Sequence, residues 1–216
     1  MRKATVQPCT TSAITGSILE FRSSNSRPAQ PAFAGAMEGP LGLNLQRMRV
    51  FGIDCGTEIT GFGVVDSDDS GPLTRIVCKT YGAIRLAKSL SLSERLADVH
   101  CTLSAELERW QAEVVAIEEV FYSVNAKSAL KLGQVRGVAL LAAAQRRLPV
   151  AEYSPLSIKS SVVGYGLAKK EQVQFMVARL LNLPELPQPA DAADALAIAI
   201  CHLHTAQTIA LQGGRQ

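Results

Sequence analysis

The stretch RVFGIDCGTEITGFGVV, residues 49–65, decides how this chain is read. Arg49 to Asp54 is a short, mostly apolar run that ends on a carboxylate. Gly56, Gly61 and Gly63 then punctuate a second run, Ile59 to Val65. Short apolar runs bounded by turn residues are strand signals. A turn cluster, Asp66 to Pro72, closes the second run, and a third run, Leu73 to Ile84, follows it. The chain therefore opens as an antiparallel meander of three strands.

Downstream the period changes. Ser91 and Glu94 have the spacing of a capping box, and Leu92, Leu96, Val99, Leu103, Leu107 and Trp110 recur at intervals of three and four, which predicts an amphipathic helix. Glu113 to Ile117 is a continuous apolar run suited to a strand covered on both faces, and it delivers Glu118 at its end. Asn125 to Arg147 reads as a helix in which Gly133 and Gly137 would allow close packing. Pro149 to Tyr153 is a further strand, and Ser154 followed by Pro155 starts a short helix. Lys169 to Leu181 and Ala190 to Ala206 complete the pattern as helices. Three antiparallel strands followed by alternating strands and helices predict an α/β fold, with a mixed five-stranded sheet flanked by helices.

Residues 1–47 are rich in Ser, Thr, Pro, Ala and Gly and lack sustained periodicity. They read as a disordered extension, or as residues ahead of a misassigned start, because Met48 sits directly before the first strand. Residues 48–207 form the folded domain and 208–216 a flexible tail. The first 47 residues hold five of the 22 Lys and Arg and two of the 19 Asp and Glu, which leaves 17 of each sign beyond them. Overall basicity therefore gives no argument for nucleic acid, and any DNA contact must come from a local patch. The longest apolar stretches fall far short of the roughly 20 residues that cross a bilayer. Five widely spaced cysteines without paired zinc spacing read as reduced thiols, which fits a cytoplasmic setting.

Four acidic residues stand where elements end or begin. Asp54 follows the first strand, Glu118 the fourth, and Asp191 and Asp194 open the last long helix. If the first and fourth strands are neighbours, Asp54 and Glu118 leave the same sheet edge, and residues three apart on a helix can face one point. Clustered carboxylates repel one another unless hard cations neutralise them, and oxygen-only donors suit magnesium or manganese. Two such ions roughly 4 Å apart can drive in-line displacement at a phosphodiester. Singly, each residue has an ordinary alternative: helix-dipole partner for the two aspartates, turn former for Asp54, solvated strand end for Glu118.

At these same residues the chain resembles the RuvC family of junction resolvases. The matching stretches are FGIDCGTEITGFGVV from Phe51, AIEEVFYSVNAKSALKLGQVRGVA from Ala116, EYSPLSIKSSVVGYGLAKKEQVQFMV from Glu152 and ADAADALAIAICHLH from Ala190. The resemblance implies a ribonuclease H-like fold and a magnesium-dependent endodeoxyribonuclease that resolves Holliday junctions by paired nicks in recombination and repair. It implies two Mg2+ per subunit, with Mn2+ able to substitute, held by Asp54, Glu118, Asp191 and Asp194. It further implies an active-site lysine at Lys159, a base-stacking aromatic at Phe121, and DNA contacts at Lys170, with Lys169 and Asn125 beside them. A homodimer acting on four-way junction DNA with the RuvA and RuvB branch-migration proteins is the implied assembly. Cys55 stands where proline is common in the family and Glu119 where glutamine is common. Cys55 is expected to be a buried, inert thiol, and Glu119 to point away to solvent.

Three rival readings start from the same residues. GIDCGT also looks like the first phosphate loop of actin-like and sugar-kinase ATPases, but those need a second lobe with further glycine-rich loops that this chain lacks. A non-enzymatic junction-binding protein would not need all four acidic residues. A ribonuclease H-like nuclease acting on RNA is disfavoured by the closeness of the motif match.

Overall fold

The computed structural model describes residues 48–68, 75–119 and 126–213. The 1–47 extension, Phe121 and Asn125 lie outside the described residues. Ten elements follow in order: β1 (Arg49–Asp54), β2 (Ile59–Asp68), β3 (Arg75–Arg85), α1 (Leu92–Trp110), β4 (Val114–Glu118), α2 (Ala126–Gln145), β5 (Val150–Tyr153), α3 (Pro155–Val163), α4 (Lys170–Leu180) and α5 (Ala190–Gly213). The sheet order is β3-β2-β1-β4-β5. β1 pairs antiparallel with β2 and parallel with β4, and β5 is parallel to β4. This is the mixed five-stranded sheet that the run pattern predicts.

Each face of the sheet carries its own apolar core. Val50, Val65, Val114 and Ala116 point to one face, where they meet Ile158 of α3, Val177 of α4 and Leu196 and Ile200 of α5. Phe51, Ile53, Val64, Val115 and Ile117 point to the other, against Val99, Leu103 and Leu107 of α1 and Val135, Ala139 and Ala142 of α2. The strict alternation along β1 and β4 is the two-residue strand period. The fully buried Leu196, Ile198, Ile200 and Leu203 of α5 each contribute about 1.5–3 kcal/mol by leaving water.

The α5 helix lies unusually close to the sheet because the strands beneath it lack side chains there. A Cβ at Gly52 would come 2.1 Å from the Ala195 carbonyl oxygen, and one at Gly61 would come 2.0 Å from that of Asp191. Both separations are impossible for real atoms, so only glycine lets the helix backbone settle onto β1 and β2. Gly133 and Gly137, expected to allow close packing, meet none among the described residues of this chain: a Cβ at either would find nothing within 4 Å. Both sit on the exposed side of α2.

Two boundaries also differ from expectation. β2 continues through Asp68 where a turn from Asp66 was expected, with Asp66 pairing opposite Val77. Asp66 is buried and neutralised by Arg49, whose Nε and Nη2 donate to its carboxylate at 2.6 and 2.8 Å, so its charge does not end the strand. α5, expected to stop near Ala206 with a tail from residue 208, runs on to Gly213. Nothing between Gln207 and Gln212 is Gly or Pro, and the first breaker is the Gly213–Gly214 pair. By length and composition α5 could cross a bilayer, but its Ala192, Ala193 and Ala195 to Cys201 are buried in the core.

Candidate active site

The strand period that builds the core also aims the first two carboxylates. Val50 and Gly52 face α5, so Asp54 at the end of β1 continues on that face; Val114 and Ala116 do the same for Glu118. In the parallel pairing Ile53 stands opposite Ile117, so the next residues, Asp54 and Glu118, end neighbouring strands side by side. Asp54 is also paired across β2 with Gly61, the glycine on which the Asp191 backbone rests. Asp191 and Asp194 lie one turn apart on α5, so the close seating of this helix delivers them to the sheet end that carries Asp54 and Glu118.

The electrostatics register this convergence. The Asp54 carboxyl is pushed up to about 7, first by burial and then by the negative charges of Asp194, Glu118 and Asp191. Burial likewise raises Glu118, with Asp194 adding to it, and burial raises Asp194 against the opposing pull of Lys170. Removing carboxylates from water and crowding them together both disfavour the ionised form. Lys170, in the first turn of α4, answers part of this charge: its Nζ lies 2.5 Å from Asp194 Oδ2. Burial opposes the charge on Lys170, but the bond to Asp194 and the fields of Asp194, Asp54 and Asp191 raise its pKa overall.

Lys159 of α3 joins Glu118, Lys170 and Asp194 in lining a cleft of about 210 Å3, and it lowers the pKa of both acids. Its helix is started by Ser154, whose Oγ accepts from the Ser157 N–H at 3.1 Å. Lys169 is the exposed N-cap of α4 and lies outside the residues lining the cleft. Among the described residues, no three acidic, His or Cys side chains are grouped closely enough to hold a metal ion as they stand. The Lys170 ammonium acts on all four acids in the place where a cation is expected.

Arg136 has a role that the sequence conceals, since it reads there as one of several basic residues dotting a helix. Its side chain is only 12% exposed, and its guanidinium is committed internally. Nη1 donates to the Glu118 carbonyl oxygen at 2.9 Å and Nη2 to the Glu152 carboxylate of β5. Arg136 thus pins the end of β4 to α2 and β5, on the face opposite the carboxylates. A signal existed in the pairing of one Arg on a helix with one Glu in a strand, but without the register it could not be read.

Cys55 takes the opposite face from Asp54 and packs against the α1–α2 core. Burial, then the Asp54 charge, pushes its thiol up to about 12, which makes it unreactive. Glu119 is exposed, with its N–H donating to the Tyr153 carbonyl. His202 and His204 engage separate partners, the Tyr153 hydroxyl at 2.8 Å and Ser161 at 3.1 Å.

Comparisons with known proteins agree with this geometry. The family described as Crossover junction endodeoxyribonuclease RuvC matches residues 50–202. A protein of that name from Acidobacterium capsulatum is 65% identical over 173 residues, 78% of this chain and 100% of its own length. The Thermus thermophilus RuvC structure superposes with a TM-score of 0.68 at 35% identity, covering 74% of this chain and 96% of that one. The same protein in complex with a Holliday junction substrate gives 0.67 at 32% identity, with the same coverage. The chain belongs to the RuvC family of crossover junction endodeoxyribonucleases.

Proposed function

We propose that this protein resolves Holliday junctions by paired symmetric nicks, hydrolysing phosphodiester bonds at the site formed by Asp54, Glu118, Asp191 and Asp194 in recombination and DNA repair. The observation that carries the reading is the Asp54 carboxyl, pushed up to about 7 by burial and by the three other acids. Carboxylates drawn out of water and crowded together at one sheet end are the arrangement that a bound cation would relieve.

Family membership implies a divalent metal, and the residues present fit one: four carboxylates at one sheet end, with oxygen donors only, and a lysine already drawn in as counter-ion. We assign magnesium as the natural ion, two per subunit, with manganese able to replace it. Asp54, Glu118, Asp191 and Asp194 would hold the divalent cations, which would supply Lewis-acid activation of a phosphate and of the attacking water. The chain's own groups do the rest. The α5 helix holds Asp191 and Asp194 against the sheet, and Arg136 fixes the backbone of Glu118. Lys159 sits in the cleft where it can offset charge that develops on the phosphate oxygens. Lys170, now paired with Asp194, would be placed to contact DNA phosphate with those carboxylates neutralised, and Lys169 would add charge beside it.

Phe121 stacking on an exposed junction base, for roughly 1–3 kcal/mol, and Asn125 contacting the strand complete the assignment on sequence grounds. A homodimer is the matching assembly, because a four-way junction offers two symmetric strands to cut. RuvA and RuvB are the partners, and the cytoplasm is the place of work. The test compares a synthetic four-way junction with linear duplex, with and without magnesium. Wild type is expected to nick the junction only with the metal, and Asp54→Asn or Glu118→Gln to bind it uncut. Near-normal cleavage by either variant rejects the assigned chemistry.

A further inference from the structure

A second, larger cleft of about 560 Å3 opens on the other face of the sheet, and the chemistry of the four carboxylates makes no use of it. Lys88, which follows β3, Arg95 of α1 and Lys131 of α2 line it, with Thr57 and Glu58 from the β1–β2 loop and Ser128 from the first turn of α2. Its floor is apolar: Leu86 and Val135 belong to the α1–α2 core. Three cations face a single acid, Glu58, whose Oε1 takes Lys88 Nζ at 3.0 Å on the exposed rim. Arg95 is anchored by Nε donating to the Leu90 carbonyl at 3.0 Å. The excess is local, since the chain beyond residue 47 is formally neutral. α2 contains no acidic residue anywhere, so nothing on it offsets the positive end of its dipole at Ser128.

Position gives this charge a meaning. Thr57 and Glu58 lie three and four residues after Asp54, and the Glu58 carbonyl accepts from the Leu86 N–H at 2.9 Å, fixing the loop to the cleft floor. The carboxylates end β1 and β4, the cleft of Lys159 and Lys170 lies on the α5 side, and the cleft of Lys88, Arg95 and Lys131 lies on the α1–α2 side. A strand with one phosphate at the sheet end must leave on both sides of it. We propose that the second cleft is a phosphate-binding track that takes the DNA backbone flanking the cut, on the side away from Lys159 and Lys170. This rests on the junction-DNA reading of the carboxylate site.

The experiment measures junction affinity against salt concentration by fluorescence anisotropy in EDTA, where the junction stays intact. For every phosphate that the protein ceases to neutralise, the slope of log affinity against log salt becomes shallower by about 0.9. Lys88→Gln/Lys131→Gln leaves the Arg95 anchor untouched and is expected to lower the slope by about 1.8 for each subunit, about 3.6 for the homodimer. Arg146→Gln is the control: that residue pairs with Glu108 at 3.0 Å and stands 15 residues from Lys131, roughly 22 Å at helical rise. Its slope is expected to equal that of wild type. An unchanged slope in the double variant, with wild type binding normally, overturns the track alone. Failure of wild type to bind any four-way junction overturns the track together with the function it rests on.

Discussion

Replacing Asp54 by asparagine should make the metal-free protein more stable at alkaline pH, although it removes a residue assigned to the active site. The folded-state carboxyl sits near 7 against an ordinary 3.8, a difference worth about 4 kcal/mol once the group is forced to ionise. Below 3.8 both folded and unfolded chains hold the proton and nothing is lost. Between 3.8 and about 7 the unfolded chain ionises while the folded one keeps its proton, so stability falls as pH rises; above 7 the loss is complete. Asparagine preserves the shape without the charge. In EDTA at pH 8 the variant should therefore gain up to about 4 kcal/mol, or roughly 10 °C in Tm for a domain of this size. The gain should shrink steadily toward pH 4. Thermal unfolding followed by circular dichroism across this range reads both features. Added magnesium should stabilise wild type by about 2.7 kcal/mol at a hundredfold excess over Kd, raising its Tm, and should stabilise the variant much less. A variant no more stable than wild type at pH 8, or a gain that does not change with pH, would refute the claim that burial and the neighbouring acids together oppose ionisation of Asp54.

Arg136→Gln removes both anchors of the β4 end and should weaken metal affinity and cleavage by about 10–100-fold, with Arg136→Lys recovering part of it; manganese titration beside cleavage kinetics separates this from simple unfolding. Gly61→Ala places a methyl group on the Asp191 carbonyl, and the required shift of α5 should cost about 1–3 kcal/mol in denaturant unfolding together with most of the activity. Among the thiols of the described residues, exposed Cys101 should react with iodoacetamide first, while Cys55, held near 12, should survive prolonged treatment at pH 8, as peptide mapping would show.

The strand runs and the helical periods carried the architecture, because both record burial one residue at a time. Asp54, Glu118, Asp191 and Asp194 could be singled out for the same reason: each sits at the edge of a periodic segment, where a carboxylate is exposed by the period itself. What could not be read was pairwise. Arg136 looks like Lys131 in the sequence, and only the β4–β5 register reveals its bond to the Glu118 backbone. Gly133 and Gly137 looked like packing positions, whereas Gly61, seen only as punctuation, and Gly52, not singled out at all, are where a helix backbone meets a strand. Asp66 looked like a turn residue because its counter-ion, Arg49, lies 17 positions away. The charge on the second cleft was likewise invisible, since its cations come from three separate elements.

The seating of α5 on bare strand backbone binds two properties together that many enzymes keep apart. The two aspartates are carried by the most deeply enclosed helix rather than by a loop, so heat that loosens its seat blurs the geometry at the sheet end before the fold is lost. Thermal inactivation should then precede global melting only slightly, and selection for a hardier variant should find little room in residues 52 and 61.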